Sequence, residues 1–200
     1  MLWLCATILD SGRGILDEEY TPRFFPGDDL FAVLRPRGLP IGNLTSQFWA
    51  NVYLDPLDHF VKRRLRCGGY LRYVDDFLLF ADDKRQLWEW RRAIVERLAG
   101  LRLTLHEGRC QPRPVGEGVG FLGWVVYPHH RLLKRRKGIA YRRRLKALLR
   151  GYREGEVTSA DLQASIRGWV AHARCGATHG LRRRMFRDHP ILPPRRGDRE

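Results

Sequence analysis

The stretch GYLRYVDDFLLFAD, residues 69–82, constrains the fold of this chain more than any other segment. Aromatic, β-branched and aliphatic residues run on both sides of two adjacent carboxylates, Asp75 and Asp76. Such residues favour extended backbone, and neighbours along a regular strand point to opposite faces. Adjacent aspartates therefore converge on one site only where a turn breaks the alternation. The stretch is expected to be two strands, YLRYV and FLLFA, with a tight turn at the carboxylates. Two uncompensated anions beside an apolar run are costly, or take up protons, unless a cation sits between them. Divalent magnesium, which binds through carboxylate and phosphate oxygens, fits that role. A solvated turn with two incidental aspartates is the competing reading, and it is the one expected of Asp82–Asp83 and of Asp28–Asp29 in PGDD.

Elsewhere the pattern is mostly helical. LWLCATILDSG reads as a short helix closed at Gly12, and RFFPGDDLFAVLRPRGLPIGN as an irregular connection punctuated by Pro and Gly. LTSQFWANVYLDPLDHFVKRRL has apolar residues at helical spacing, with Pro56 expected to kink or break it. KRQLWEWRRAIVERLAGL is a second amphipathic helix, and RLTLH and GFLGWVVYP are further short strands. Past Pro128 three helical stretches follow: GIAYRRRLKALLRGYREG, TSADLQASIRGWVAHARCG and GLRRRMFRDH. Thr158 or Ser159 is the expected N-cap of the middle one. No internal repeat is evident.

Charge is unevenly spread. Residues 1–128 hold 17 Lys and Arg against 16 Asp and Glu, whereas residues 129–200 hold 20 against 6, so +14 of the net +15 lies in the last 72 residues. A near-neutral body with a strongly basic end is the footprint of a polyanion binder, because phosphate contacts gain by releasing condensed counterions. Nucleic acid is the expected polyanion. The terminal RRGDRE is better read as a solvated, frayed tail. Cys5, Cys67, Cys110 and Cys175 lie far apart, with no CxxC pair and no Cys-His cluster at zinc-ligand spacing. They are expected to be reduced thiols. No apolar run approaches the ~18 residues of a membrane span, and MLWLCATIL lacks the flank and cleavage site of a signal peptide. A soluble, cytoplasmic protein is expected, with no membrane partner.

Tyr73 to Asp76, YVDD between two apolar strands, resembles the catalytic hairpin of reverse transcriptases. RGLPIGNLTSQFWANVYLDPLDHFVK upstream, LTLHEGR and FLGWVVYP downstream, and SIRGWVAHA in the basic end are similar to that family's palm and thumb in order and spacing. The resemblance covers nearly the whole chain. Group II intron and retron enzymes usually carry Gln-Gly followed by Ser-Pro where this chain has Ile41-Gly42 and then Ser46-Gln47. IGNLTSQ, with the preceding FPGDDLF, instead looks like the reverse transcriptases of diversity-generating retroelements, which copy a template RNA into cDNA mutated at template adenines.

The resemblance implies an α+β fold: a polymerase palm with an antiparallel sheet carrying the YVDD hairpin, followed by an α-helical thumb. Residues 1–128 would be a partial palm and residues 129–200 the basic thumb and tail. It implies nucleotidyl transfer to a primer 3′-hydroxyl assisted by two Mg2+ ions in the complete enzyme, with Asp75 and Asp76 as catalytic metal ligands. Tyr73, Ile41, Gly42, Gln47 and Arg109 would form the nucleotide pocket. At Ile41 an aliphatic side chain replaces a polar Gln and removes a hydrogen bond that helps orient the incoming nucleotide. HEGRC departs from the family's lysine-rich version, which leaves Arg109 equally readable as a surface arginine. Phe121, Leu122 and Gly123 match the primer-grip hairpin, where glycine permits close backbone approach. Arg142, Arg143, Arg144 and Lys146 would track the template-primer backbone. Trp169 and His172 match the thumb helix, Trp169 being equally readable as thumb core. Implied partners are an RNA template, a DNA or RNA primer, dNTPs and a basic accessory protein.

One departure matters. The family's third carboxylate comes from an earlier strand of the form Asp-x-x-x-Phe-Phe, and none of Asp10, Asp17, Asp28 or Asp29 stands in such a strand. The chain is therefore expected to be truncated at its start, or given too late a start codon, and inactive alone. A non-catalytic remnant that binds nucleic acid, and a group II intron or retron type of enzyme, are the alternatives.

Overall fold

The computed structural model describes residues 2–11, 23–34, 38, 44–106, 108 and 110–193. The chain forms two compact units, Met1–Pro112 and Arg113–Glu200. Both contain helices and a small antiparallel sheet, so the chain is α+β and mostly helical.

In the first unit, α1 (Leu2–Asp10) is followed by a short 3-10 helix at Leu30–Leu34 and by α2 (Leu44–His59), which passes into a π turn over Phe60–Arg64. Of the kink or break expected at Pro56, the break does not occur. Proline has no N–H to offer the carbonyl of Val52, yet α2 continues past it. Leu57 and Val61, one turn apart just beyond the proline, are fully buried, and this anchorage favours continued helix. Strands β1 (Gly69–Tyr73) and β2 (Asp76–Phe80) then form an antiparallel hairpin, and α3 (Lys84–Gly100) closes the unit. Asp83 caps α3 by accepting a 2.9 Å hydrogen bond from the Arg85 amide. Ile94 and Leu98 of α3 join Leu57, Val61 and Cys67 in the core. Tyr70, Phe77 and Leu79 cover that core from one face of the hairpin.

The strand expected at RLTLH is absent: residues 103–106 are irregular. The reason lies in the end of α3. Arg102 adopts left-handed backbone (φ 57°), its amide bonds to the Ala99 carbonyl, and the Leu103 amide reaches back to the Leu98 carbonyl at 2.9 Å. This is the Schellman arrangement, and it takes up backbone groups that a strand needs for pairing. Leu103 and Leu105 still pack against the core.

In the second unit, β3 (Val119–Phe121), β4 (Trp124–Val126) and β5 (Arg131–Leu133) make a three-stranded antiparallel sheet. GFLGWVVYP is thus two strands and a turn, and β5 was not anticipated. The two hairpin motifs belong to separate sheets, one of two strands and one of three, and not to one palm sheet. Three helices follow: α4 (Arg135–Glu154), α5 (Ser159–Arg174) and α6 (His179–Arg187). Gly155, in the left-handed region at φ 80°, ends α4, where the Glu156 amide returns to the Gly151 carbonyl at 2.8 Å. Thr158 is the N-cap of α5, its hydroxyl accepting from the Asp161 amide at 3.1 Å. Tyr141, Leu145 and Leu149 of α4 meet Leu162, Trp169 and Ala173 of α5 and Met185 of α6 in a second core. The second compact unit holds β3 to β5 together with the basic helices, and carries 21 Lys and Arg against 7 Asp and Glu in residues 113–200. Gly12, expected to close α1, lies outside the described residues.

Candidate functional site

The hairpin pairs Gly69 with Phe80, Tyr70 with Leu79, Leu71 with Leu78, Arg72 with Phe77 and Tyr73 with Asp76. Two residues, Val74 and Asp75, make the connection. Alternation puts Tyr70, Arg72, Phe77 and Leu79 on the face toward α2 and α3, and Leu71, Tyr73, Asp76, Leu78 and Phe80 on the other. Asp75 sits in the turn and Asp76 starts β2 beside Tyr73. Both carboxylates are exposed, as are Leu71, Tyr73 and Phe80. The charges are therefore not desolvated, and the apolar residues around them divide between a covered face and an open one.

The turn itself is strained. Val74 has φ 56°, and Asp75 is not in the positive-φ region. A positive φ at the first of two loop residues is a II′-like geometry that normally takes glycine. A β-branched residue there is an outlier with a cost on the order of 1–3 kcal/mol.

Arg72 offsets this. Its Nε and Nη2 donate to the two carboxylate oxygens of Asp58 at 2.8 and 2.5 Å, and its Nη1 donates to Asn51 Oδ1 at 2.7 Å and to the Val74 carbonyl at 2.8 Å. The Tyr70 hydroxyl donates to Asp58 Oδ1 at 2.6 Å. Burial pushes the Asp58 carboxyl up, but the hydrogen bonds from Arg72 and Tyr70 and the Arg72 charge outweigh it, leaving its pKa below the ordinary value. Arg72 is raised, chiefly by the Asp58 hydrogen bond. Burial and the bond to Asp58 push the Tyr70 hydroxyl far above its usual range. Arg72, Asn51 and Asp58 were not among the residues expected at the site. The available signal was a cation at a core-facing strand position, which demands a partner.

Gln47 lies on α2 with its side chain exposed, and its carbonyl accepts from Asn51 Nδ2 at 3.0 Å. It is thus linked through Asn51 and Arg72 to the Val74 turn. Ile41, Gly42 and Arg109 lie outside the described residues.

Mg2+ is commonly held by one or two carboxylates together with substrate phosphates. Two exposed aspartates at a hairpin tip suit a partial site of that kind. Among the described residues no group of three or more His, Cys, Asp or Glu stands together as a metal site, so the described residues do not assemble a two-ion site by themselves.

In the second unit, Phe121 and Trp124 flank another two-residue connection, Leu122–Gly123. Both have positive φ, 44° and 87°, the I′ pattern that matches strand twist. Phe121, Leu122 and Gly123 therefore do form a hairpin tip, with Leu122 exposed. Trp169 is 9% exposed and stacks on Tyr141 at 4.3 Å and 2°. This is the core placement of the two that the sequence left open. His172 is exposed, its ring 5.1 Å from that of Trp124.

Arg142, Arg143, Arg144 and Lys146 are all exposed on α4. Successive helical residues are turned by about 100°, so the three consecutive arginines spread around the helix instead of sharing a face. The stripe opposite the buried Tyr141, Leu145 and Leu149 is Arg136, Arg143 and Arg150, all exposed. Only Arg143 of the expected four stands in its centre.

No family model matches the chain, and no curated protein is significantly similar to it. Among the described residues no helix is long and apolar enough to cross a membrane.

Proposed function

We propose that the chain is the palm and thumb portion of an RNA-directed DNA polymerase of the kind found in diversity-generating retroelements. The observation that carries this reading is the YVDD turn: a two-residue hairpin loop that presents Asp75 and Asp76 to solvent with Tyr73 beside them. In this role Asp75 and Asp76 would hold Mg2+, which would supply charge stabilisation for nucleotidyl transfer to the primer hydroxyl. Tyr73, on the same open face as Asp76, lies against the incoming nucleotide. The Leu122–Gly123 tip supports the primer, and the basic face of α4 follows the template-primer phosphates. The third carboxylate that the family carries on a segment of the form Asp-x-x-x-Phe-Phe has no match in residues 1–200.

The test is primer extension on a primed RNA template with Mg2+, by this chain alone and by this chain joined to such a segment with its fingers. Synthesis is expected from the joined form, not from the chain alone, and Asp75→Asn abolishes it while template-primer binding survives. Extension unaffected by Asp75→Asn takes the chemistry away from the YVDD turn, the observation on which the reading rests. Robust synthesis by the chain alone shows instead that another of its aspartates completes the site. The retroelement subtype has its own check. In the active form Ile41→Gln restores a polar contact in the pocket and should lower misincorporation opposite template adenine; identical error spectra reject it.

The basic second unit favours one further reading, a nucleic-acid-binding protein without polymerase chemistry. It is supported if the joined form binds template-primer and never extends it.

A further inference from the structure

We propose that Arg72 is the positioning residue of the Asp75–Asp76 pair, its guanidinium fastening the carbonyl of the left-handed Val74 to Asn51 and Asp58 on α2. The functional meaning of this rests on the polymerase reading, whereas its structural content does not. Four donor contacts from one side chain converge here, two on Asp58, one on Asn51 and one on the Val74 carbonyl. The side chain is only 12% exposed. A planar guanidinium directs its donors in a fixed fork, which a lysine ammonium cannot reproduce.

The placement distinguishes positioning from simple docking. The hairpin is already held to α2 and α3 by Tyr70, Phe77 and Leu79 in the core, and the Tyr70 hydroxyl ties β1 to Asp58. The Val74 carbonyl needs nothing from that packing. It belongs to the peptide unit between Val74 and Asp75, and its direction fixes where the chain leaves the turn and where both carboxylates point. Val74, with φ 56°, is a residue that favours escape to extended backbone. The bond from Arg72 opposes that escape. Through Asn51 the same guanidinium is linked to the Gln47 carbonyl, so α2 and the carboxylate turn keep one register.

The experiment uses amide hydrogen exchange of the full chain followed by NMR. Arg72→Lys keeps a cation for Asp58 and loses the fork. It should raise exchange at Tyr73 and Asp76, the pair that flanks the turn, by about tenfold, the loss of one hydrogen bond to a charged donor, with less than about threefold change at residues 69–71 and 78–80. In a Val74→Gly background, where positive φ carries no penalty, the same substitution should have less than about a third of that effect. An unchanged turn, a uniform rise over the whole hairpin, or an equal effect in the Val74→Gly background overturns the proposal. Should Arg72→Lys fail to fold, the wild-type side chain decides: Arg72 Nη1 protons in slow rotation and exchange support the clamp, and signals averaged like those of exposed arginines refute it. Mn2+ titration separates the two claims. Broadening centred on Asp75–Asp76 and lost in Asp75→Asn upholds the metal reading, and Arg72→Lys should then need about tenfold more Mn2+ for equal broadening. An equal Mn2+ requirement refutes the positioning role. No broadening in the wild type refutes the metal reading, and the exchange result then judges the clamp by itself.

Discussion

At the scale of single residues, Asp58 carries more than its position on α2 announces. It accepts from Arg72 and Tyr70 at once, and its carboxyl is held below its ordinary pKa against the upward push of burial. A carboxyl lowered on folding contributes stability that is fully present above its unfolded pKa of about 3.9 and is lost as pH falls through the folded value. Tyr70 has the opposite sign: its raised hydroxyl contributes below about pH 10, the unfolded value, and that contribution is lost as pH rises toward the folded one. The tie between the hairpin and α2 is therefore expected to hold between about pH 4 and 10 and to weaken beyond either limit. Urea midpoints measured from pH 6 down to pH 3 should fall for the wild type and fall less steeply for Asp58→Asn. Parallel curves would remove Asp58 from the acid response.

At the scale of elements, α4 illustrates how a run of arginines is divided by helical geometry. Tyr141, Leu145 and Leu149 fix one side of the helix against α5 and α6, and that decides which basic residues face outward together. Arg136, Arg143 and Arg150 form the outward stripe, whereas Arg144 is turned about 100° from Arg143. If the stripe lies on a phosphate backbone, replacing those three with alanine should reduce the slope of log K against log salt for a primed RNA by about 2 to 3. Replacing Arg142, Arg143, Arg144 and Lys146 should reduce it by less. Binding isotherms at several salt concentrations decide this, and a larger effect from the second set would move the interface to a flank of α4.

At the scale of the whole molecule, the carboxylate pair and the charge excess lie in different units. The carboxylate hairpin is in Met1–Pro112, and nearly all the excess positive charge is in Arg113–Glu200, which has its own core. Residues 113–200 expressed alone are expected to bind primed RNA with most of the salt slope of the full chain, because counterion release scales with the phosphates contacted and not with chain length. Residues 1–112, near charge balance, should bind weakly and with a shallow slope. A fragment 113–200 that folds by circular dichroism yet shows no salt-dependent binding would mean that the charge excess is a solvated surface.

The sequence by itself determined the elements whose signals are local. YLRYV and FLLFA were legible as strands around a turn, since period-two residues flank a pair of polar ones, but the turn forms one residue earlier than expected, at Val74–Asp75, and Asp76 pairs with Tyr73 as the first residue of β2. Helices α2 and α3 were legible from their apolar spacing, α4 to α6 as helical stretches, and the α5 cap as Thr158 or Ser159, of which the structure uses Thr158. Tertiary structure decided what depends on distant partners. Pro56 stays inside α2 while Leu57 and Val61 are buried beside it, RLTLH loses its strand to the cap of α3, and β5 forms because Leu133 finds Trp124 across the sheet. Trp169 went to the core because Tyr141 offered it a stacking face from another helix. The partners of Arg72 were invisible for the same reason: a strand pattern reports which face a side chain takes, but Asn51 and Asp58 belong to a helix that only folding brings alongside.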